Sequence, residues 1–210
     1  MPKKNIVVLV SGGGTNLQAL IDAQGRGELG NGEITCVIAS KADAFSLTRA
    51  ADNGIKTRTL IRKDYGDIAS YSKAMRDLLV EEKADLIVYA GFMTILDENV
   101  CDTFPNKMIN VHPALIPSFC GKGFYGLHVH ESALEKGVKV SGATVHFVTA
   151  ECDEGPIIMQ KAVEVHEGDK PETLQKRIME QAEWKILPKA VQLFCDGKIE
   201  VKDGKTIISE

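Results

Sequence analysis

The sequence predicts an α/β fold, a Rossmann-like, doubly wound and mostly parallel sheet with antiparallel additions toward its C-terminal end. Three observations carry that expectation. Short apolar runs recur along the first half of the chain, helix-like segments lie between several of them, and beyond Gly142 longer strands follow one another with no obvious helix between. Continuous apolar runs bounded by turn residues mark strands buried on both faces, as parallel strands are. Alternation of such strands with helices marks a doubly wound sheet with right-handed crossovers.

Taken in order, the run at residues 6–10 (Ile-Val-Val-Leu-Val) is the first strand, and residues 16–23 the first helix. Residues 34–39, 57–61, 86–90 and 108–111 repeat the short apolar pattern, and helices are expected at 44–51 and 68–82. Residues 143–148, which alternate strictly, and 157–165 read as longer strands that make an antiparallel addition to the sheet. Asp169-Lys-Pro-Glu172 reads as a capping box with an early proline, opening a last long helix that runs to about Phe194. Strands at 199–201 and 206–208 close on Asp203-Gly204, a common hairpin turn. No repeat, low-complexity tract or linker interrupts the chain, so residues 1–210 are expected to form a single domain.

Composition excludes several classes. With 210 residues, 44% of them hydrophobic, the chain is long enough to bury a core. A net charge of -4 and the lack of any basic run of five argue against a nucleic-acid partner. The first apolar run is too short for a signal segment or a membrane span. The five cysteines are odd in number, scattered and never spaced C-x-x-C, which fits a reducing cytoplasm better than a disulfide framework or a zinc ribbon.

Ser11-Gly12-Gly13-Gly14-Thr15-Asn16 stands where the first strand turns into the first helix, at the sheet edge where open α/β proteins bind ligands. Glycines let backbone N–H groups approach an anion, and the helix N-terminus adds partial positive charge. A tight turn with an N-cap is the plainer alternative, but a turn alone rarely needs three glycines. A Walker loop would need a lysine after Gly14, and a dinucleotide fingerprint a glycine at Leu17 and an acid after the second strand, where Ala39-Ser-Lys41 stands. A single small phosphate ester fits best.

Ile109-Asn-Val-His-Pro113 ends a buried strand near the same edge, with Asn110 and His112 two apart and so on one face. Those residues alone leave two readings open, catalysis or a buried pair that satisfies its own hydrogen bonds. Asp153, in the turn Glu151-Cys-Asp-Glu-Gly-Pro156, could orient and charge an imidazole or simply be a solvated turn acid.

Five short motifs in order, Ser11-Gly-Gly-Gly-Thr-Asn-Leu17, Ala90-Gly-Phe-Met-Thr-Ile-Leu96, Ile109-Asn-Val-His-Pro113, Ser141-Gly-Ala-Thr-Val-His146 and Asp153-Glu-Gly-Pro156, resemble the glycinamide ribonucleotide transformylase family of formyltransferases over nearly the whole chain. The resemblance implies 10-formyltetrahydrofolate as donor, glycinamide ribonucleotide as acceptor, and Asn110, His112 and Asp153 as the catalytic group, with no metal. It implies that Gly14, Thr15 and Asn16, within the loop that starts at Ser11, hold the substrate phosphate and that Glu183 contacts the acceptor. Met93, Thr94, Ile95 and Leu96, together with Thr149 and Ala150 ahead of Asp153, would line the pterin pocket. A monomer or homodimer acting on small molecules alone is expected.

The chemistry agrees with those residue types. Attack of an amine on a formyl carbon develops an oxyanion, for which Asn110 and a protonated His112 are donors, while Asp153 favours the imidazolium and helps move the proton. Departures from the family stand at Thr94 and Ile68, where members carry arginines resembling clamps for the folate glutamate tail, so Arg62 or Lys63 is expected to serve instead. Trp184 replaces a histidine often found after Glu183, and residues 119–126, with three glycines, read as a flap or a flexible surface loop.

Other signals are plainer. His112, Cys120, His128 and His130 match no zinc spacing, and residues 127–131 look like entry into a helix. Ser141, Thr144 and His146 lie on the strand after the flap as supports for the site, His146 being either that or a packed strand histidine. Lys161 and His166 read as solvated surface. Two rivals with the same triad, formyltetrahydrofolate deformylase and methionyl-tRNA formyltransferase, carry an extra N-terminal or C-terminal domain that is not expected here. A non-catalytic phosphosugar-binding module would need only the glycine loop.

Overall fold

The computed structural model describes residues 2–209. Its elements run β1 (Lys4–Val10), α1 (Thr15–Gly25), β2 (Gly32–Ala39), α2 (Phe45–Asp52), β3 (Lys56–Thr59), α3 (Ile68–Glu81), β4 (Leu86–Tyr89), α4 (Glu98–Thr103), β5 (Met108–His112), α5 (Leu127–Lys136), β6 (Val140–Phe147), β7 (Ile157–Glu164), α6 (Pro171–Ile178), α7 (Trp184–Cys195), β8 (Ile199–Lys202) and β9 (Lys205–Ile208). Seven strands form one sheet in the order β3-β2-β1-β4-β5-β6-β7. The pairs from β3 through β5 are parallel, and β5·β6 and β6·β7 are antiparallel, as the texture change after Gly142 indicates.

From β1 the chain first winds outward through β2 and β3, then returns to place β4 on the other side of β1. Helices that leave β1 and β4 therefore diverge, and the crevice between them at the strand carboxyl ends is the natural ligand site of such a sheet. Strand alternation splits the core in two. Ile6, Val8, Ile109 and Val111 pack with α1, α2, α6 and α7, while Val7, Leu9, Ile87 and Met108 pack with α3 and α4. By the same alternation Asn110 and His112 face the side of Met108, and the register Asn110↔His146, His112↔Thr144 carries β6 into the site.

Two expectations about the last helix need correction. Its N-cap is Lys170, with no side-chain cap bond, because Asp169 is held instead by a bidentate pair with Arg177 at 2.6 Å and by the N–H of His166. A charge-assisted fork outcompetes a neutral capping bond. The helix is also not continuous, since a π turn at Met179–Glu183 separates α6 from α7 and swings Glu183 inward. Among the described residues, no helix is long and apolar enough to cross a membrane.

Candidate active site

Gly14 closes the glycine loop as the N-cap of α1, with φ 72°, a left-handed conformation that glycine adopts without strain. A side chain there would also strike Cβ of Ser46. The carbonyls of the loop are occupied, Gly12 O by the N–H of Ser46 at 3.1 Å and Gly13 O by Nε of Arg49 at 2.8 Å. Among the described residues no backbone acceptor takes the N–H groups of Gly12, Gly13 or Gly14, and the first N–H groups of a helix have no intrahelical acceptor, the requirement for binding an anion. Ser11 differs from the expectation of a ligand contact: its hydroxyl is buried, pairs with Ser40 at 2.7 Å and accepts the N–H of Met93 at 3.0 Å. That residue ties the ends of β1 and β2 to the segment after β4, because a hydroxyl sealed at a strand end must find partners inside the protein.

A cavity of about 410 Å³ opens between the glycine loop and the ends of β4, β5 and β6. Thr15, Asn16 and Glu183 line it on one side, Met93 to Leu96 on another, and Asn110, His112, His146 and Asp153 at its base, with Thr149 and Ala150 beside them. Gly12 and Gly13 stay exposed outside that lining.

At the base, the elements converge on one carboxylate. Asp153 sits in the β6–β7 turn with φ 60°, a conformation aspartate tolerates better than bulky residues. Its Oδ2 lies 3.5 Å from Nδ1 of His112 and accepts the N–H of Gly121 at 2.9 Å, and its Oδ1 lies 3.6 Å from Nε2 of His146. Burial pushes this carboxyl up, but His146, His112 and the Gly121 N–H together outweigh it and bring the pKa down to about 2. Asp153 is thus a carboxylate at any ordinary pH.

His146 donates from Nδ1 to its neighbour's carbonyl, Phe147 O, at 2.8 Å, so Nε2 is left as the acceptor for Asn110 Nδ2 at 3.1 Å. That bond fixes the Asn110 amide with one Nδ2–H spare for the cavity. His112 donates from Nε2 to Phe119 O at 2.8 Å. Burial pulls the pKa of His112 below its ordinary value, against the opposing pull of Asp153 and the Phe119 carbonyl. Burial thus works against the imidazolium, while Asp153 and the Phe119 carbonyl favour it.

Thr144 supports from behind, donating to Ala114 O at 2.7 Å and accepting from the N–H of Ile116 at 3.1 Å, which anchors the chain leaving His112. Ser141 does not belong to the site. It shares the opposite face of β6 with Ala143, Val145 and Phe147, because side chains of one strand alternate.

Glu183 is 5% exposed, and its Oε2 accepts Asn16 Nδ2 at 2.6 Å. Burial pushes its pKa up to about 7, with the Asn16 bond pulling the other way. Asn16 Oδ1 is buried and has no partner among the described residues, a free acceptor at the cavity wall. Trp184 turns away to a smaller hollow with Thr15, Gln18 and Arg49.

Three contributors escaped the reading of the sequence. The Phe119 carbonyl and the Gly121 N–H act through backbone atoms, and Cys152 lines the cavity beside Asp153, its Sγ 3.6 Å from Oδ2. Backbone groups carry no residue-type signal; only the glycines of the 119–126 loop hinted at them. Gly121 to Gly126 border the cavity. His128 is exposed and stacks on Phe124, His130 is fully buried, and among the described residues no group of three or more metal-ligating side chains is assembled.

Residues 4–191 match the Formyl transferase family model. Over 200 residues the chain is 39% identical to the phosphoribosylglycinamide formyltransferase of Escherichia coli (strain K12), covering 95% of this chain and 91% of that protein. It is 42% identical over 207 residues to the trifunctional purine biosynthetic protein adenosine-3 of Bos taurus, of whose length it spans only 20%. Among solved structures it is similar to glycinamide ribonucleotide transformylase 1 from Symbiobacterium toebii, with a TM-score of 0.93, 39% identity and coverage of 99% and 95% of the two chains. A formyltetrahydrofolate deformylase from Pseudomonas syringae pv. tomato str. DC3000 is also similar, with a TM-score of 0.86 and 29% identity, covering 99% of this chain and 66% of that one.

Proposed function

Because the chain belongs to the formyl transferase family, we propose that it transfers the formyl group of 10-formyltetrahydrofolate to the amine of glycinamide ribonucleotide, the formylation step of purine synthesis. The observation that carries this reading is one cavity lined both by Thr15 and Asn16, at the start of α1, and by the Asn110, His112 and Asp153 cluster. The loop end at Gly14, Thr15 and Asn16 takes the acceptor's phosphate. Glu183 and the unpaired Asn16 Oδ1 receive hydrogen-bond donors from its ribose or glycinamide part. The Met93 to Leu96 segment and Thr149–Ala150 take the pterin, whose amide-like edge suits backbone partners.

In the transfer, the amine lone pair forms the new C–N bond while the carbonyl electrons move onto oxygen. The spare Nδ2–H of Asn110 and Nε2–H of His112 stabilise that oxyanion. Nε2–H is now given to Phe119 O, so the formyl oxygen takes its place as the 119–126 loop yields. The proton lost by the amine passes by way of Asp153 and His112, directly or through water, to the leaving nitrogen of the folate, and the old C–N bond breaks. Protonation of His112 at Nδ1 during this passage is favoured by Asp153, which supports the imidazolium charge as the oxyanion forms. This route uses no metal, and a cytoplasmic enzyme acting on small molecules fits it.

Purified protein incubated with both substrates should consume the formyl-folate absorbance in step with added glycinamide ribonucleotide. Loss of formyl without the acceptor would instead make the chain a deformylase-like hydrolase, and no turnover at all would remove the reading.

A further inference from the structure

Resting on that function, we infer that Arg49 is a positioning residue of the glycine loop, fixing its peptide planes so that N–H groups, not carbonyls, meet the acceptor's phosphate. Three successive glycines have no side chains to hold those planes, and each plane can turn over at little cost. Turning one over reverses its field, because the C=O and N–H of a trans peptide point in opposite directions. In the Gly13–Gly14 peptide the carbonyl is taken by Nε of Arg49 at 2.8 Å, which directs the Gly14 N–H away from that side chain. The peptide before it is set likewise, Gly12 O accepting the N–H of Ser46 at 3.1 Å and so directing the N–H of Gly13. Successive N–H groups turned to one side make a concavity for an anion, and a reversed Gly13–Gly14 peptide would place a carbonyl oxygen in it.

Arg49 is itself held on three sides. Its Nη1 donates to Gln18 Oε1 at 3.0 Å, and Gln18 Nε2 donates in turn to Asp22 Oδ1 at 2.9 Å, so α1 fixes a guanidinium that belongs to α2. The guanidinium lies over the Phe45 ring, 5.0 Å from its centroid. Its stem passes close to the loop, with Cδ 3.5 Å from where a side chain on Gly14 would begin. Among the described residues Arg49 enters no ion pair, whereas Arg26, Arg58, Arg76 and Arg177 each have a carboxylate. Its charge is therefore left to act on an anion at the loop. Arginine suits this post because Nε and Nη1 form a rigid fork that serves the loop carbonyl and Gln18 at once, which a single ammonium cannot reproduce. Thr15 borders both the small hollow beside Arg49 and the main cavity, so the held peptides adjoin the site itself.

The test compares two acceptors, glycinamide ribonucleotide and its dephosphorylated counterpart glycinamide riboside, at saturating formyl donor. The natural chain should show the lower KM for the phosphorylated acceptor. Arg49→Met, which keeps the stem and removes the fork, should raise that KM roughly 10-fold while kcat, the donor KM and the riboside KM stay in place. Arg49→Lys, with the charge but not the fork, should recover only part of the loss. Gln18→Leu, which frees the guanidinium without touching the loop, should give a smaller rise in the same KM. An unchanged acceptor KM in Arg49→Met would overturn the inference, as would an equal rise for the riboside or the donor, which marks general disturbance. Full recovery in Arg49→Lys would assign the effect to charge alone and overturn the positioning role. Absence of transfer by the natural chain to either acceptor would count against the formyl-transfer reading itself, a result distinct from failure of the loop's support.

Discussion

Asp153 Oδ2 serves the Gly121 N–H, the His112 ring and the Cys152 thiol at once, so its charge organises two loops and the imidazole together. Replacing that charge by an isosteric amide separates the chemistry from the architecture. Asp153→Asn should lower kcat by about 10²- to 10⁴-fold, the usual range for a lost proton-transfer partner, while the acceptor's affinity at the glycine loop changes little. Stopped-flow turnover paired with acceptor titration would check both halves; equal losses in binding and rate would mean a collapsed site. His112→Ala should behave alike in kcat, and Asn110→Asp, which removes the Nδ2 donor, should lose about 10²-fold or more, as oxyanion donors do. Asn110 and His112 were legible as a pair on one face because strand spacing of two is a strict geometric rule, whereas Asp153, in a turn, was joined to them only by the family resemblance. Ser141, placed at the site by its motif, lies on the wrong face by that same rule.

The turn that carries Asp153 depends on Gly155. A side chain there would run into the carbonyl of Phe147, beside the bond between the Phe147 N–H and Pro156 O at 2.9 Å. Gly155→Ala should therefore cost about 1–3 kcal/mol through overpacking and lower Tm by several degrees. Because Asp153 is two residues away, kcat should fall further than thermal destabilisation explains, which turnover measured well below Tm would reveal. The far end of β7 is held differently: Arg177 grips Asp169 with both Nη atoms and Glu164 O at 3.0 Å, with 14% and 4% of the two side chains exposed. Arg177→Ala leaves Asp169 with the His166 N–H as its remaining donor and should destabilise by about 1–3 kcal/mol, seen as a shifted urea midpoint; a shift below a few tenths of a molar would contradict that account. The capping-box reading missed this pair because Arg177 lies a helix turn or two away in sequence and only the fold brings it to Asp169.

Across the whole molecule, buried titratable groups set opposing pH dependences. Glu183, raised to about 7, contributes stability that is complete below the unfolded carboxyl value and is lost as pH rises toward 7. His130, fully buried and lowered to about 4 by burial and by His112, behaves inversely, its contribution complete above the unfolded imidazole value and lost as pH falls toward 4. Each shift is worth roughly 3 kcal/mol, so the natural chain should keep a nearly flat stability between pH 5 and 7. Glu183→Gln should tilt that profile upward with pH and His130→Leu should tilt it downward, as denaturant unfolding at several pH values would record; parallel profiles for the three proteins would refute the assignment. The amino-acid pattern by itself determined the α/β class, most of the strand order and the terminal hairpin, because periodicity, glycine placement and turn chemistry act over a few neighbouring residues. Only the tertiary structure decided that Phe119 and Gly121 close on His112 and Asp153, that Ser11 is sealed inside, and that a π turn aims Glu183 at Asn16. Those contacts join residues far apart in the chain through backbone atoms and burial, and neither leaves a local signature in the order of side chains.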